Sequence, residues 1–258
     1  MFKLLVSGCF IILISTKAIA KKCDVVKVEG ADGWWPYYIV NQETKKLDGI
    51  AVRIVHKLFK DLNMKYELPS SVTPWKRKLH LIEKGKVDIV STIYHNDERA
   101  KKYKYSIPYA EDRIKVWVKH DKKFKFETIN DLKGKSVLIT RGSSYGKIFD
   151  EFKKKHLKEV PIKSVKNAFH AINRGGRADF MVTSYFDGMN AFETDVKDLK
   201  GKVVPLEHNI SVNGVYFIGS KTSPCTDKFE LINNKLKEYK ANGTLEKITQ
   251  EFIKSGIK

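Results

Sequence analysis

VDIVSTIYHNDERAKKYKYSIPYAED, residues 87–112, begins as a core strand and ends as something else. Its first seven residues are mostly apolar and β-branched, as a buried strand should be. Tyr94, His95, Asn96, Asp97, Glu98 and Arg99 follow at once, with a run of Lys and Tyr behind them. Either a core strand simply reaches the surface here, or it delivers a ligand-binding edge into a cleft. The flanking pattern bears on the choice. Residues 24–28 read as a short strand. Residues 50–62 place Ile50, Ile54, Val55, Leu58, Phe59 and Leu62 on one helical face. Residues 64–68 read as a strand. Residues 75–84 repeat the helical spacing and stop at Gly85, a residue suited to the left-handed position after a helix. With the strand at 87–93 the order is β-α-β-α-β, the pattern of a mostly parallel sheet.

A second round follows. Residues 129–134 suggest a short helical turn, 136–140 a strand, 141–144 a tight loop and 145–156 a helix. Strands at 161–164 and 178–183 flank a helix at 165–173. A strand at 214–219 precedes one or two amphipathic helices over 226–257. The natural reading is α/β with two lobes.

The first residues read as an address. A short basic start, an apolar stretch over 4–15 and Ala18-Ile19-Ala20 form a signal peptide over residues 1–20. The apolar stretch is shorter than the roughly 20 residues a membrane span needs. Val6-Ser7-Gly8-Cys9 resembles a lipoprotein box, but the apolar run continues behind it. Cleavage after Ala20 and a soluble product in the periplasm is therefore expected, with no lipid on Cys9. Of the three cysteines, Cys23 and Cys225 remain, and in an oxidising compartment a lone pair reads first as a disulfide. Two free thiols are the alternative. Neither has a Cys or His at zinc spacing.

The chain has 49 basic and 30 acidic residues; losing Lys3 and Lys17 leaves 47 against 30, a net charge of +17. The lysines are spread along the whole chain without a dense block, which suits a solvated surface better than a nucleic-acid partner. Removing the first 20 of 258 residues leaves 238, enough for one full core or two smaller ones. No spacing suggests a catalytic triad, a metal site or a nucleotide loop, and no cofactor is expected.

Four stretches, in order, resemble the bacterial extracellular solute-binding protein family 3, periplasmic receptors for polar amino acids that feed ABC importers. They are WKRKLHLIEKGKVD at 75–88, NDERAKKYKYSIPY at 96–109, INDLKGKSVLITRGSSY at 129–145 and LKEYKANGTLEKITQEF at 236–252. The resemblance covers about the whole chain after the signal peptide. It implies the type II periplasmic binding protein fold, two α/β lobes joined by a two-strand hinge with a ligand cleft between them. The lobes would comprise residues 21–112 with 212–258, and residues 113–211. The chain would cross near 110–113 and return near 209–214, and the lobes would close on a ligand. A monomer partnered by an importer permease is implied.

The resemblance also assigns roles. Arg99 matches the arginine that pairs with a ligand carboxylate, a task for a planar fork that lysine lacks. Thr92, Ile93 and Tyr94 match the strand end that contacts the ligand. Tyr37 matches an aromatic that stacks on it, and Trp34, Trp35 and Trp75 are further aromatic candidates. Lys76 and Arg77 could add positive charge. At 141–144, Gly142 permits a close turn, and Ser143 or Ser144 would cap the next helix and touch the carboxylate. The main departure is Ser184, where relatives for α-amino acids usually place an Asp that holds the ammonium. Either another carboxylate replaces it or the ligand has no α-amino group. Glu29 is the leading substitute, ahead of Asp32, Glu111 and Asp187. Ala51 is a second departure, where Asp is common. Two other functions stand beside transport: an enzyme resembling cyclohexadienyl dehydratase, and an envelope protein that senses a ligand without importing it.

Overall fold

The structure is a computed structural model that describes residues 22–41, 44–69, 73–141 and 143–255. The expected signal peptide, Cys9 and Gly142 lie outside these. The first stretch of chain builds β1 (Val26–Glu29), a small hairpin of β2 (Ile39–Val40) and β3 (Leu47–Asp48), α1 (Ile50–Asp61), β4 (Tyr66–Glu67), α2 (Trp75–Glu83) and β5 (Ile89–Tyr94). Then come α3 (Asp97–Lys102), β6 (Lys104–Tyr105) and the long β7 (Ala110–Lys119). The second stretch contributes β8 (Ser136–Thr140), α4 (Lys147–His156), β9 (Lys158–Ile162), α5 (Val165–Arg174), β10 (Phe180–Ser184) and α6 (Tyr185–Thr194). It ends with β11 (Val203–Gly219), α7 (Lys228–Ala241) and α8 (Thr244–Ser255).

These strands form one curled sheet in the order β4-β1-β5-β11-β7-β10-β8-β9, with β6 on β11. Its two ends are parallel triplets, β4-β1-β5 and β10-β8-β9. Between them β7 and β11 run antiparallel and join the halves. Each triplet is buried by crossover helices, as parallel strands require. One core packs Val26, Val28, Ile54, Leu58 and Phe59 against Phe229, Ile232 and Leu236. The C-terminal helices thus return to the first half. A second core packs Leu138, Phe169, Ile172, Met181 and Phe192 with Val203. Ala51 belongs to the first core, fully buried on α1.

Three elements differ from the sequence expectation. β11 begins eleven residues before the strand expected at 214, because Glu207, His208 and Asn209 mask it with polar side chains. Its pairing with β7 shifts register between Pro205 and Asn209, which lets that polar stretch stay in the ladder. The helix α3 was not foreseen; the Asn96 side chain caps it by accepting from the Arg99 N–H at 2.8 Å. Finally, α4 starts at Lys147 with Gly146 as its N-cap and no side-chain cap, so neither Ser143 nor Ser144 caps it. Gly146 has φ 100°, and a Cβ there would lie 2.4 Å from Asn213 Oδ1, so only glycine fits without displacement.

Candidate functional site

A cavity of about 440 Å³ opens between the two halves of the sheet. Its first wall comes from the end of β5: Thr92, Ile93 and Tyr94, then Arg99 on α3. Thr92 is buried and its Oγ1 accepts from the Ala31 N–H at 2.5 Å, which ties this strand end to the loop carrying Trp34. Arg99 is held from two sides. Its guanidinium donates to the Tyr94 carbonyl at 3.2 Å and lies 5.9 Å from the ring centre of Trp75. Burial lowers its pKa, and among the described residues no carboxylate pairs with it. A desolvated guanidinium without a carboxylate partner is costly in isolation, and this one faces the cavity. The core strand at 87–93 does open into a cleft.

The aromatic residues divide. Trp34 and Trp75 line the cavity, and Trp34 packs edge-on to Tyr94 with ring centres 4.7 Å apart. Tyr37 does not line it: it is 1% exposed in the first core, and its hydroxyl donates to the Glu111 carbonyl at 3.0 Å. The apolar neighbours Tyr109 and Trp34 draw its ring inward instead. Arg77 is also outside the cavity, on the exposed face of α2 one residue before Lys78 points in.

The far wall is formed by the turn after β8, the first turn of α6 and the end of β10. Arg141, Ser143, Ser144, Ser184 and Asp187 all face the cavity. Ser144 is committed to α4, donating to Asp150 Oδ2 at 2.5 Å. Ser184 is buried and donates to Asp112 Oδ1 at 2.5 Å, while Tyr94 donates to the other oxygen, also at 2.5 Å. The Trp34 indole is a third donor to the same carboxylate. Asp112 has 0% exposure; burial raises its pKa, and these donors pull it back. Thus the hydroxyl at Ser184 leads to a carboxylate one layer behind the cavity wall. No sequence pattern marks Asp112: it sits between Glu111 and Arg113 at the charged start of β7, a stretch that reads as surface.

The proposed substitutes for the missing Asp also divide. Glu29 does not reach the cavity. It is buried 3.1 Å from the ammonium of Lys78, which also pairs with Asp32 and donates to the Gly30 carbonyl at 2.5 Å. Burial raises the Glu29 pKa, against the pull of Lys78. Glu111 is exposed. Asp32 lines the cavity but is paired with Lys78. Asp187 lines it and accepts from the Trp35 N–H; burial, helped by the charge of Asp112, pushes it up to about 8. Lys78, fully buried on α2, was missed, because a lysine in a lysine-rich helix reads as surface.

Cys23 and Cys225 are joined by a disulfide across 202 positions, with Cα atoms 5.0 Å apart. Among the described residues no cluster of His, Cys, Asp and Glu could hold a metal ion, and no helix is long and apolar enough to cross a membrane.

A fold of two sheet halves bridged by β7 and β11, with a cavity at the bridge, defines a binding-protein architecture. The model of the bacterial extracellular solute-binding proteins, family 3, matches residues 26–255, and the chain belongs to that family. It is 23% identical over 236 residues to the L-cystine-binding protein TcyJ of Escherichia coli K12, covering 88% of this chain and 82% of that one. Among solved structures it resembles one describing glutathione import via GshT and the cystine ABC importer TcyBC of Streptococcus mutans. That match has a TM-score of 0.71 at 21% identity, over 89% of this chain and 94% of the other. It also resembles the ancestral amino acid-binding protein AncCDT-1, a precursor of cyclohexadienyl dehydratase. There the TM-score is 0.68 at 24% identity, over 89% and 95% of the two chains. These likenesses agree on the type II periplasmic binding protein fold.

Proposed function

We propose that this protein captures a small carboxylated solute, a polar amino acid or a close analogue, and delivers it to the permease of an ABC importer. Residues 21–112 with 212–258 act as one lobe and 113–211 as the other, closing over the cavity. The protein works as a monomer in the periplasm after loss of residues 1–20. The observation that carries this reading is Arg99: a half-buried guanidinium, clamped by Tyr94 and Trp75, lining the cavity without a carboxylate of the protein's own. A ligand carboxylate accepts two parallel bonds from such a fork. Thr92, Ser143, Ser184 and Trp34 surround it, and Asp187 meets the cationic end of an amino acid in place of the carboxylate that Ser184 replaces, giving up its proton as the ammonium group arrives. Contacts of Asp97 with Lys147 and of Trp35 with Phe186 link the two lobes, which supports closure.

The test is thermal unfolding of the purified protein against the common amino acids, L-cystine, and their decarboxylated and deaminated counterparts. A ligand bound only by the folded state at a hundredfold excess over Kd stabilises by about 2.7 kcal/mol. The reading expects a shift with carboxylated members, lost in Arg99→Ala. No shift with any of them, in well-folded protein, would sink it.

A second reading, dehydration of a cyclic substrate by a cavity acid, has one favourable observation. Asp187 faces the cavity with a carboxyl that holds its proton near neutral pH. Release of phenylpyruvate from prephenate, lost in Asp187→Asn, would move the assignment there.

A further inference from the structure

Arg99 stands on the first wall of the cavity and Asp187 on the far wall, yet one run of hydrogen bonds joins them. The Arg99 guanidinium donates to the Tyr94 carbonyl at 3.2 Å, and the Tyr105 hydroxyl donates to the same carbonyl, also at 3.2 Å. The Tyr94 hydroxyl donates to one oxygen of Asp112 and the Ser184 hydroxyl to the other, both at 2.5 Å. Ser184 in turn accepts from the Asp187 N–H at 3.5 Å, in the first turn of α6. The Trp34 indole and the Arg113 N–H complete the donors to Asp112, and every one of these donors is neutral. Trp34, Tyr94 and Ser184 line the cavity, whereas Asp112 stands behind them with 0% exposure.

We propose that Asp112 is the positioning residue of the cleft: from β7, where the two halves join, it sets the spacing between Arg99 and Asp187 and so the span of solute that fits. This deepens, and rests on, the solute-capture reading above. A buried carboxylate held by neutral donors is stable only while those donors stay aimed at it. Its charge therefore fixes both hydroxyls in direction. Tyr94 cannot follow one half alone, since it packs against the first core and against a cluster of the second half that contains Ile114 and Tyr145. On the other side Ser184 pairs in register with Ile114 of β7, two positions beyond Asp112. The two anchors thus sit at the ends of one ordered run, and a solute of matching length pays little to order them. The hydroxyl at Ser184 belongs to the same arrangement. A carboxylate there would lie against Asp112, and two like charges in contact do not both ionise.

Pulsed electron resonance on the ligand-free protein reads the spacing, with nitroxides on Lys101→Cys of α3 and Glu193→Cys of α6, both exposed positions. Cys23 and Cys225 are held in their disulfide and take no label. The parent should give a narrow distance distribution and Asp112→Asn a broader one. Tyr94→Phe and Ser184→Ala each remove one donor but keep the charge of Asp112, and should broaden it likewise. Tyr94→Phe combined with Asp112→Asn should add little to either change alone, since both break one link. If Asp112→Asn does not fold, the two donor variants carry the test. An unchanged distribution in folded Asp112→Asn, or in both donor variants, overturns the inference. Calorimetry then compares glycine, β-alanine and 4-aminobutanoate, whose carboxylate and ammonium groups are one, two and three carbons apart. The parent should prefer one of them by about tenfold, and Asp112→Asn should bring the three affinities together. A uniform loss that leaves the preference intact would mark Asp112 as merely structural and also overturns the inference. If none of the three binds, the distances alone decide it, and the amino acid panel above decides the capture reading.

Discussion

Asp187 is the residue whose behaviour is easiest to measure. In the folded chain it is pushed up to about 8 by burial and by Asp112, against an ordinary value near 3.8. Asp112, Tyr37, Tyr94 and Tyr145 are the titratable groups coupled to it, and none is a cation. Between those two values the folded protein holds a proton that the unfolded chain has released, so stability declines as pH rises through this range. Asp112 and Glu29 are raised as well and act in the same direction. The melting temperature of the ligand-free protein should therefore fall between pH 5 and pH 8.5, and Asp187→Asn should flatten that fall. A variant with the unchanged slope would assign it to Asp112 and Glu29 instead. Arg99 carries the second prediction at this scale. Arg99→Lys keeps the charge but not the fork, and should weaken capture by about tenfold or more, with stability little changed.

At the scale of elements, the site depends on how two short pieces are seated. Helix α6 delivers Ser184 and Asp187 because its first turn is capped by Ser184, which accepts from the Asp187 N–H. Its Gly188 lies against Trp117, and a Cβ would sit 2.1 Å from that ring. Trp117, on β7, is fully buried within the second core, so it has nowhere to move. Gly188→Ala should cost about 1–3 kcal/mol in urea unfolding, and should weaken capture by tilting α6. On the other wall, α3 is only six residues long, and the Asn96 cap is a large share of what holds it. Asn96→Ala should cost about 1 kcal/mol, read by the same unfolding curves, and should loosen Arg99.

For the whole molecule, the disulfide ties the start of the described chain to the segment leading into α7. It therefore closes the first half of the sheet, whose core draws on both ends of the chain. Cross-linking so long a loop restricts the unfolded ensemble, and loss of a native disulfide typically costs about 2–5 kcal/mol. Reduction, or Cys225→Ser, should lower the unfolding midpoint by a corresponding amount. Transitions followed by first-half and second-half probes should then separate. Coincident transitions in the reduced protein would show instead that β7 and β11 couple the halves strongly enough on their own.

The cleft came only with the family resemblance, whereas the alternation of apolar periods along the chain and the strand at 87–93 with Arg99 just beyond it were legible in the residues themselves. They depend on local spacing, because a helix or strand buries its face wherever the period of 3.6 or 2 repeats. The composition of the site was not legible in the same way. Tyr37 looked like a ligand contact and is core; Glu29 looked like the spare carboxylate and is bound to Lys78, 49 positions later in the chain. Asp112 was invisible until Ser184, 72 positions away, came within hydrogen-bonding reach. Charge, burial and pairing are properties of neighbours in space. Only the tertiary structure brings β7, β10 and α2 together, and so only it decides which of several acids and bases is left free to meet a solute.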